Sequence, residues 1–205
     1  MPTDGCLMSV TVRYLTHPQV LIEPTKDVRR WSLNDVGSER VSGLAARLGA
    51  LSRTRRVISS DETKALETAS PLAFALGLEL EIRPRMHEND RSATGFLPSA
   101  KFETIADQFF AEPDKSVLGW ETAYDAQRRI LSEVDASLAG QQKGDVLFVG
   151  HGAVGTLLFC ALSRIKIDRR FDQGSGGGGC WFGFDLHQRQ PFQMWQPMEA
   201  LISGG

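Results

Sequence analysis

Two histidines, His17 and His151, are the side chains of this sequence best placed for chemistry. Each follows a run of strand-forming residues, in the segments Tyr14-Leu15-Thr16-His17-Pro18 and Phe148-Val149-Gly150-His151-Gly152. A side chain at such a position leaves the sheet and faces the crevice beyond the strand end. If the two imidazoles meet there, one can take up a phosphoryl group while the other stabilises the charge on it. The pairing therefore predicts a phosphatase that works through a phosphohistidine.

The pattern of apolar residues predicts strands and helices in alternation around these histidines. Segments with strand composition cover residues 10–15, 56–59, 78–82, 145–149, 181–186 and 191–195, the last two as a closing antiparallel pair. Segments with helical spacing cover residues 33–51, 59–76, 102–110, 122–138 and 153–162. Ser59 and Glu62 have the spacing of a capping box at the start of the second helix. The order predicts an α/β fold, a three-layer sandwich with a mostly parallel sheet flanked by helices.

The segment of residues 86–121 interrupts this alternation. It is polar and irregular at its start, contains a Gly and a predicted helix, and lies on the side of the strand ends. We expect a single domain over residues 1–205 in which this segment is an insertion that contacts substrate. The glycine-rich run at residues 174–179 lacks the Lys-Ser/Thr ending of a P-loop, so a flexible turn is the simpler interpretation.

Composition excludes several classes of partner. The 205 residues include 23 basic and 25 acidic side chains, so no overall field attracts nucleic acid or an anionic membrane. No apolar stretch approaches the roughly 18 residues of a membrane helix, and the first residues lack the pattern of a signal peptide, which favours a cytoplasmic protein. The three cysteines suggest neither a disulfide framework nor a zinc site. A homodimer is compatible with a free edge strand or helix face, but the sequence does not choose the oligomeric state.

Beyond these general features, the motifs resemble the histidine phosphatase superfamily, the phosphoglycerate mutase-like group, over nearly the whole chain. The family opens with Arg-His-Gly after the first strand, where this chain has Thr16-His17-Pro18. Its next motif, Ser-x-x-x-Arg-Ala-x-x-Thr-Ala, is similar to residues 60–69, with Lys64 in place of arginine. Gly119-Trp120-Glu121-Thr122 resembles the Gly-Gly-Glu-Ser segment of the phosphatase branch, and Gly150-His151-Gly152 resembles the motif of the second catalytic histidine.

The resemblance implies a role for each matching residue. His17 attacks phosphorus, Glu88 protonates the leaving alkoxide and then accepts a proton from water, and His151 stabilises the phosphoryl oxygens. His87 and Asp90 compete with Glu88 for the role of the acid. No metal or other cofactor is required, and the partner is a phosphorylated small molecule or inorganic phosphate.

The phosphate-binding residues implied by the resemblance are Lys64, Thr16 and Arg91. Thr16 offers one neutral hydrogen bond where the family has a bidentate, permanently charged arginine. We therefore expect another cation to replace it, first Arg91 and then Arg29 or Arg30, and slow turnover without one. Trp120 and Glu121 are assigned to substrate binding, and the aromatic side chains of residues 96, 109 and 110 are further candidates for the pocket wall.

Two alternatives remain at this point. A non-catalytic or weakly active protein that binds a phosphorylated ligand is favoured by Thr16 and Lys64, but His17, Glu88 and His151 together oppose it. A mutase, which returns the phosphoryl group to a bound sugar acid, ranks lower because nothing marks an additional carboxylate clamp.

Overall fold

A computed structural model describes residues 10–141 and 143–203. The strands are β1 (Thr11–Thr16), β2 (Thr54–Ser59), β3 (Leu80–Ile82), β4 (Asp145–Gly150), β5 (Cys180–Asp185) and β6 (Gln196–Pro197). The helices are α1 (Asp35–Arg47), α2 (Thr63–Leu76), α3 (Ser99–Ala111), α4 (Ala123–Leu138), α5 (Gly152–Leu162) and α6 (Ala200–Ser203). Short 3₁₀ turns lie at Val28–Arg30, Gly49–Arg53, Pro84–Met86 and Arg169–Phe171.

The six strands form one mixed sheet in the order β3-β2-β4-β1-β5-β6. The pairs β2–β3, β2–β4 and β1–β4 are parallel, whereas β5 is antiparallel to β1 and β6 to β5. The predicted α/β sheet, mostly parallel with an antiparallel end, is therefore confirmed. The partner of β5 differs from the prediction, because Gln196–Pro197 forms the paired strand and only Pro191 of the expected segment makes a bridge, to Phe184.

Side chains that alternate along the central strands fill two separate cores, one on each face of the sheet. On β4, Val146 and Phe148 belong to the core beneath α3, α4 and α5, whereas Leu147 and Val149 belong to the core beneath α1 and α2. Because β4 packs on both faces, all six of its residues are buried. The three predicted layers follow from this alternation.

The same packing fixes the relative position of the strand ends. Thr16 pairs with Gly150 in the parallel register of β1 and β4, and the amide of His17 donates a hydrogen bond to Gly150 O at 3.0 Å. The chain therefore leaves two adjacent strands at the same level, one residue before each histidine. The segment that follows β3, up to the start of α4, adds no strand to the sheet and lies on this side of the molecule. Across the described ranges, the helices are all too short or too polar to cross a membrane.

Candidate active site

The carboxyl ends of β1 and β4 bring the two histidines together. The ring centroids of His17 and His151 lie 5.3 Å apart with an interplanar angle of 67°. The residues are far apart in the chain, and the parallel pairing of their strands makes them neighbours. This arrangement is the one that the strand-end positions of the two histidines predict.

The ring of His17 is held in one tautomer by its own loop. Its Nδ1 lies 2.8 Å from the carbonyl oxygen of Pro18, which can only accept a hydrogen bond, so Nδ1 carries the proton. Burial, together with the positive charge of Lys64, lowers the pKa of His17 to about 4. The imidazole is therefore neutral at pH 7, and its Nε2 has a free lone pair.

The second histidine is fully buried and is fixed through its ring and its backbone. Its Nε2 lies 2.9 Å from Ser60 Oγ, whereas its Nδ1 is buried without a hydrogen-bond partner among the described residues. The hydroxyl of Tyr14 accepts from the amide of His151 at 3.1 Å and donates to its carbonyl oxygen at 3.2 Å. Burial lowers the pKa of His151 well below its ordinary value despite the nearby charge of Glu62, so this ring is also neutral.

A carboxylate that the sequence interpretation assigned to helix capping, that of Glu62, lies among these groups. Its Oε2 is 2.5 Å from Lys64 Nζ, its Oε1 is 3.7 Å from His151 Nε2, and it accepts a hydrogen bond from the amide of Glu88 at 2.9 Å. Burial opposes its ionisation, but the charge that His151 carries when protonated, the ammonium of Lys64 and the Glu88 amide hold the pKa of Glu62 well below its usual range. An ionised internal carboxylate therefore contacts the groups expected to bind phosphate.

The expected capping box does not form. The hydroxyl of Ser59 donates to the carbonyl oxygen of Ser60, and the amide of Glu62 donates to Ser60 Oγ at 3.3 Å. Helix α2 begins at Thr63, with Glu62 as a residue whose side chain caps nothing. The buried ammonium group of Lys64 needs a counter-charge, and the ion pair with Glu62 is stronger than the capping hydrogen bond it replaces, which explains the difference.

The candidate proton donor, Glu88, binds the first turn of α5. Its two carboxylate oxygens accept from the amides of Ala153 at 3.1 Å and Val154 at 3.0 Å, which are two and three residues after His151. Burial raises the pKa of Glu88, although the charge of Arg91 and these amides act in the opposite direction. For Asp90, the hydrogen bond from the Ser92 amide lowers the pKa. Of these two carboxyls, Glu88 is the one whose environment favours the protonated form.

The three expected phosphate-binding side chains differ in their availability. Thr16 is buried; its Oγ1 lies 2.6 Å from Gln173 Oε1 and accepts from the Cys180 amide at 3.0 Å. The ammonium group of Lys64 is bound by Glu62 and by the carbonyl oxygen of Val28 at 2.7 Å. Arg91 stacks over Phe102 at 4.8 Å, and its guanidinium makes no hydrogen bond or ion pair with any described residue. Of the two cations among these side chains, Arg91 is therefore the more available for phosphate.

The two expected substrate residues, Trp120 and Glu121, lie elsewhere. Trp120 is buried against Phe102 and Phe109, and its indole N–H donates to Thr94 Oγ1 at 2.9 Å. Glu121 forms an ion pair with Arg129 at 2.7 Å. The structure thus places both in contacts that anchor the segment before α4, and neither borders the cavity described next.

A cavity of about 440 Å³ borders the histidine cluster. Its walls come from residues 24–29, 87–92 and 94–96 together with Glu62. They include Arg29, Glu88, Arg91 and Phe96, but neither imidazole. Glu62 and Glu88 are thus the parts of the cluster that border the cavity. The described residues contain no group of three His, Cys, Asp or Glu side chains arranged to hold a metal ion.

The mixed sheet and the paired histidines at its strand ends define a phosphoglycerate mutase-like α/β protein. The chain belongs to the histidine phosphatase superfamily, branch 1, whose sequence model matches residues 19–190. The match begins two residues after His17 and so leaves out Thr16-His17-Pro18, the segment that differs from Arg-His-Gly.

Solved structures with the same fold come from several bacteria. The mycobacterial glucosyl-3-phosphoglycerate phosphatase with inorganic phosphate is 19% identical, with a TM-score of 0.71 over 91% of this chain and 94% of that chain. Bacillus stearothermophilus YhfR is 20% identical, with a TM-score of 0.70 over 85% and 90% of the two chains. The Bacillus anthracis phosphoglycerate mutase is 18% identical, with a TM-score of 0.69 over 95% and 96%. No curated protein matches the chain.

Proposed function

We propose that the protein hydrolyses phosphomonoesters through a phosphohistidine on His17. The observation that supports this proposal most directly is the pair of neutral imidazoles, 5.3 Å apart, at the ends of two adjacent parallel strands. The Nδ1 hydrogen bond to Pro18 leaves Nε2 of His17 as the nucleophilic atom. The segment of residues 86–121, proposed as the substrate insertion of a single domain, supplies Glu88 and Arg91.

In the first step, Nε2 of His17 forms a bond to phosphorus while the bond between phosphorus and the ester oxygen breaks. Glu88 in its protonated form transfers its proton to the departing oxygen, so the alcohol leaves neutral. In the second step, water attacks the phosphohistidine, Glu88 takes the proton of that water, and phosphate leaves as the bond to Nε2 breaks. His17 and Glu88 return to their initial states.

The charge on the transferred group is stabilised by His151 and Arg91. The hydroxyl of Ser60 accepts from the Glu62 amide, so its own proton is available to His151 Nε2. The buried Nδ1 of His151 then carries the proton of the neutral ring and lacks a partner, and a phosphoryl oxygen would accept that hydrogen bond. Arg91 supplies the permanent charge that Thr16 lacks.

The experiment measures hydrolysis of an aryl phosphate in the presence of a metal chelator. The wild type should turn over the substrate, and the His17→Ala and His151→Ala variants should lose at least about a hundredfold in kcat. The matched control is His187→Ala, since this side chain is exposed. A denaturing mass measurement after rapid quenching should find an acid-labile phosphoryl group on the peptide that contains His17. Turnover that persists in His17→Ala would disprove the proposal.

A second candidate is a protein that binds a phosphorylated ligand without turnover. It is favoured by the ion pair between Glu62 and Lys64 and by the bound hydroxyl of Thr16, because together they remove two of the expected phosphate donors. Calorimetry with inorganic phosphate distinguishes the two. Binding without turnover and without a trapped phosphoenzyme would support this second function.

A further inference from the structure

A second cavity, of about 250 Å³, adjoins the one that borders the histidine cluster. The two share Val28, Arg91, Gly95 and Phe96 as wall residues. The remaining wall of the second cavity comes from the loop after His17 and from the start of α3. A ligand bound to Arg91 can therefore extend into both cavities.

The walls of this second cavity are apolar and aromatic. They include Ile22, Trp31, Phe96, Leu97 and Phe102. The rings of Trp31 and Phe96 lie 5.8 Å apart, and the indole N–H of Trp31 is directed away, to the carbonyl oxygens of Glu23 and Lys26. Ile22 is 60% exposed at the edge of this cavity. An apolar side chain at this exposure gains free energy when a ligand covers it.

Arg91 lies between the polar first cavity and the apolar second cavity and borders both. One face of its guanidinium stacks on the ring of Phe102, while its N–H groups make no hydrogen bond with the described residues. Such a guanidinium can bind phosphoryl oxygens through its edge and leave the ester carbon chain beside Phe102. Apart from Ser99 and Arg91, the side chains of these walls offer no free hydrogen-bond partner, so most hydroxyls of a polyol or sugar acid in the same place would stay unpaired.

We propose that this second cavity binds the alcohol portion of the substrate, so the substrates are phosphomonoesters of apolar alcohols with a short alkyl chain or an aromatic ring. The inference depends on the proposed function, since it assigns the substrate class of the same site. The phosphoryl group then lies where the first cavity meets the histidine cluster, beside Glu62, Glu88 and Arg91, and the apolar walls of the second cavity disfavour polar leaving groups.

The test uses n-alkylphosphonates, whose P–C bond is not hydrolysed, so binding is measured apart from turnover. Calorimetry of the methyl, propyl and hexyl compounds should give affinities that increase about threefold for each added methylene. The hydroxylated analogue of the propyl compound should bind more weakly than the propyl compound itself. The Phe96→Ala variant should flatten the dependence on chain length, while Phe74→Ala, at an 88% exposed position on α2, should not.

Each outcome separates the two proposals. Equal affinity along the series, or an unchanged slope in Phe96→Ala, would overturn the apolar subsite even if aryl phosphate is hydrolysed. A chain-length dependence without hydrolysis would retain the subsite and reject the proposed function. Ile22→Asn provides a second variant, because this exposed position changes the cavity edge without opening the core, and it should reduce the affinity for hexylphosphonate more than that for methylphosphonate.

Discussion

Glu62 and Lys64 form a buried ion pair, 2.5 Å from Oε2 to Nζ, in the position where the superfamily resemblance leads one to expect a cation free for phosphate. The two side chains are only 3% and 6% exposed. A phosphoryl group that approaches Lys64 must therefore compete with an anion that belongs to the protein itself. The ion pair therefore links the stability of the start of α2 to the affinity of the site for phosphate.

The substitution Glu62→Gln should tighten phosphate binding and weaken the fold together. Removing the carboxylate releases Lys64 and eliminates repulsion of the dianion, so the inhibition constant of inorganic phosphate should fall about tenfold. Lys64 loses its counter-charge, which should reduce the free energy of unfolding by about 3 kcal/mol. Steady-state inhibition and urea denaturation measure the two effects.

The control for that variant is Asp61→Asn, which removes an exposed carboxylate from the adjacent position. It should change neither quantity appreciably. If Glu62→Gln leaves the affinity for phosphate unaltered, then Lys64 takes no part in binding and the internal carboxylate is purely structural.

The protonation of His17 gives a second prediction. Because burial and Lys64 depress its pKa to about 4, the ring should stay neutral as the pH falls from about 7 and should gain a proton only near pH 4. The nucleophile is thus available across the neutral and mildly acidic range. NMR of the ring carbon-bound protons, assigned with His17→Ala, follows this titration. A midpoint near the ordinary value of about 6.5 would show that the ring is neither desolvated nor close to Lys64.

The features of the site that could be predicted from the sequence are those that depend on the local pattern of apolar residues. A partly alternating pattern identified β1 and a nearly continuous apolar run identified β4, and a histidine directly after each strand was sufficient to predict that the rings converge. Glu88 was suggested by the resemblance to the superfamily, which has an acidic residue soon after the third strand, and its role as the acid stays a prediction. The two rings converge because strand ends in a parallel sheet share one edge, whatever the intervening sequence.

The parts that sequence could not supply depend on partners far along the chain. The hydroxyl of Thr16 is bound by Cys180, at the start of β5, and by Gln173, in the loop before that strand. Trp120 packs with the aromatic residues of α3, which a local motif does not reveal. Glu62 matched a capping pattern, and only the burial of Lys64 two residues later signals its actual contact.

Glu88 should control the dependence of the rate on pH. Its pKa is raised, so the proton needed by the leaving group is present at low pH and is lost as the pH rises through that value. The ratio of kcat/KM between wild type and Glu88→Gln on an alkyl phosphate should therefore decline with increasing pH, and this ratio cancels the ionisation of the substrate. At low pH the ratio should be on the order of a hundred or more.

For comparison, Asp90→Asn should keep the same pH dependence as the wild type, because the hydrogen bond from Ser92 favours an ionised Asp90. A pH-independent ratio for Glu88→Gln, or a loss of the declining limb in Asp90→Asn, would move the acid role away from Glu88.

Arg91 should provide the main permanent charge for phosphate. The variant Arg91→Gln keeps a polar side chain of moderate length but removes the charge, and phosphate inhibition should weaken by about tenfold. The comparison variant is Arg85→Gln, since Arg85 is directed to Glu133 at 3.4 Å and does not border the cavity. Equal inhibition constants in wild type and Arg91→Gln would mean that another cation compensates for Thr16.

Tyr14 should act as a positioning residue for His151. Its hydroxyl bonds both the amide and the carbonyl oxygen of His151, and a Cβ at Gly150 would lie only 2.3 Å from that hydroxyl. The variant Tyr14→Phe leaves a buried amide without a partner, so we expect it to lose about 1 to 3 kcal/mol of stability in urea denaturation. Because His151 is then less firmly positioned, kcat should fall more than KM changes.

The control is Tyr124→Phe, at a half-exposed position on α4, which should change neither the stability nor kcat. The ring of Tyr14 also packs against Phe182 and Trp195. A Tyr14→Phe variant that loses stability but keeps full kcat would therefore show that the hydroxyl stabilises only the fold. The ring of His151 would then be positioned by its contact with Ser60.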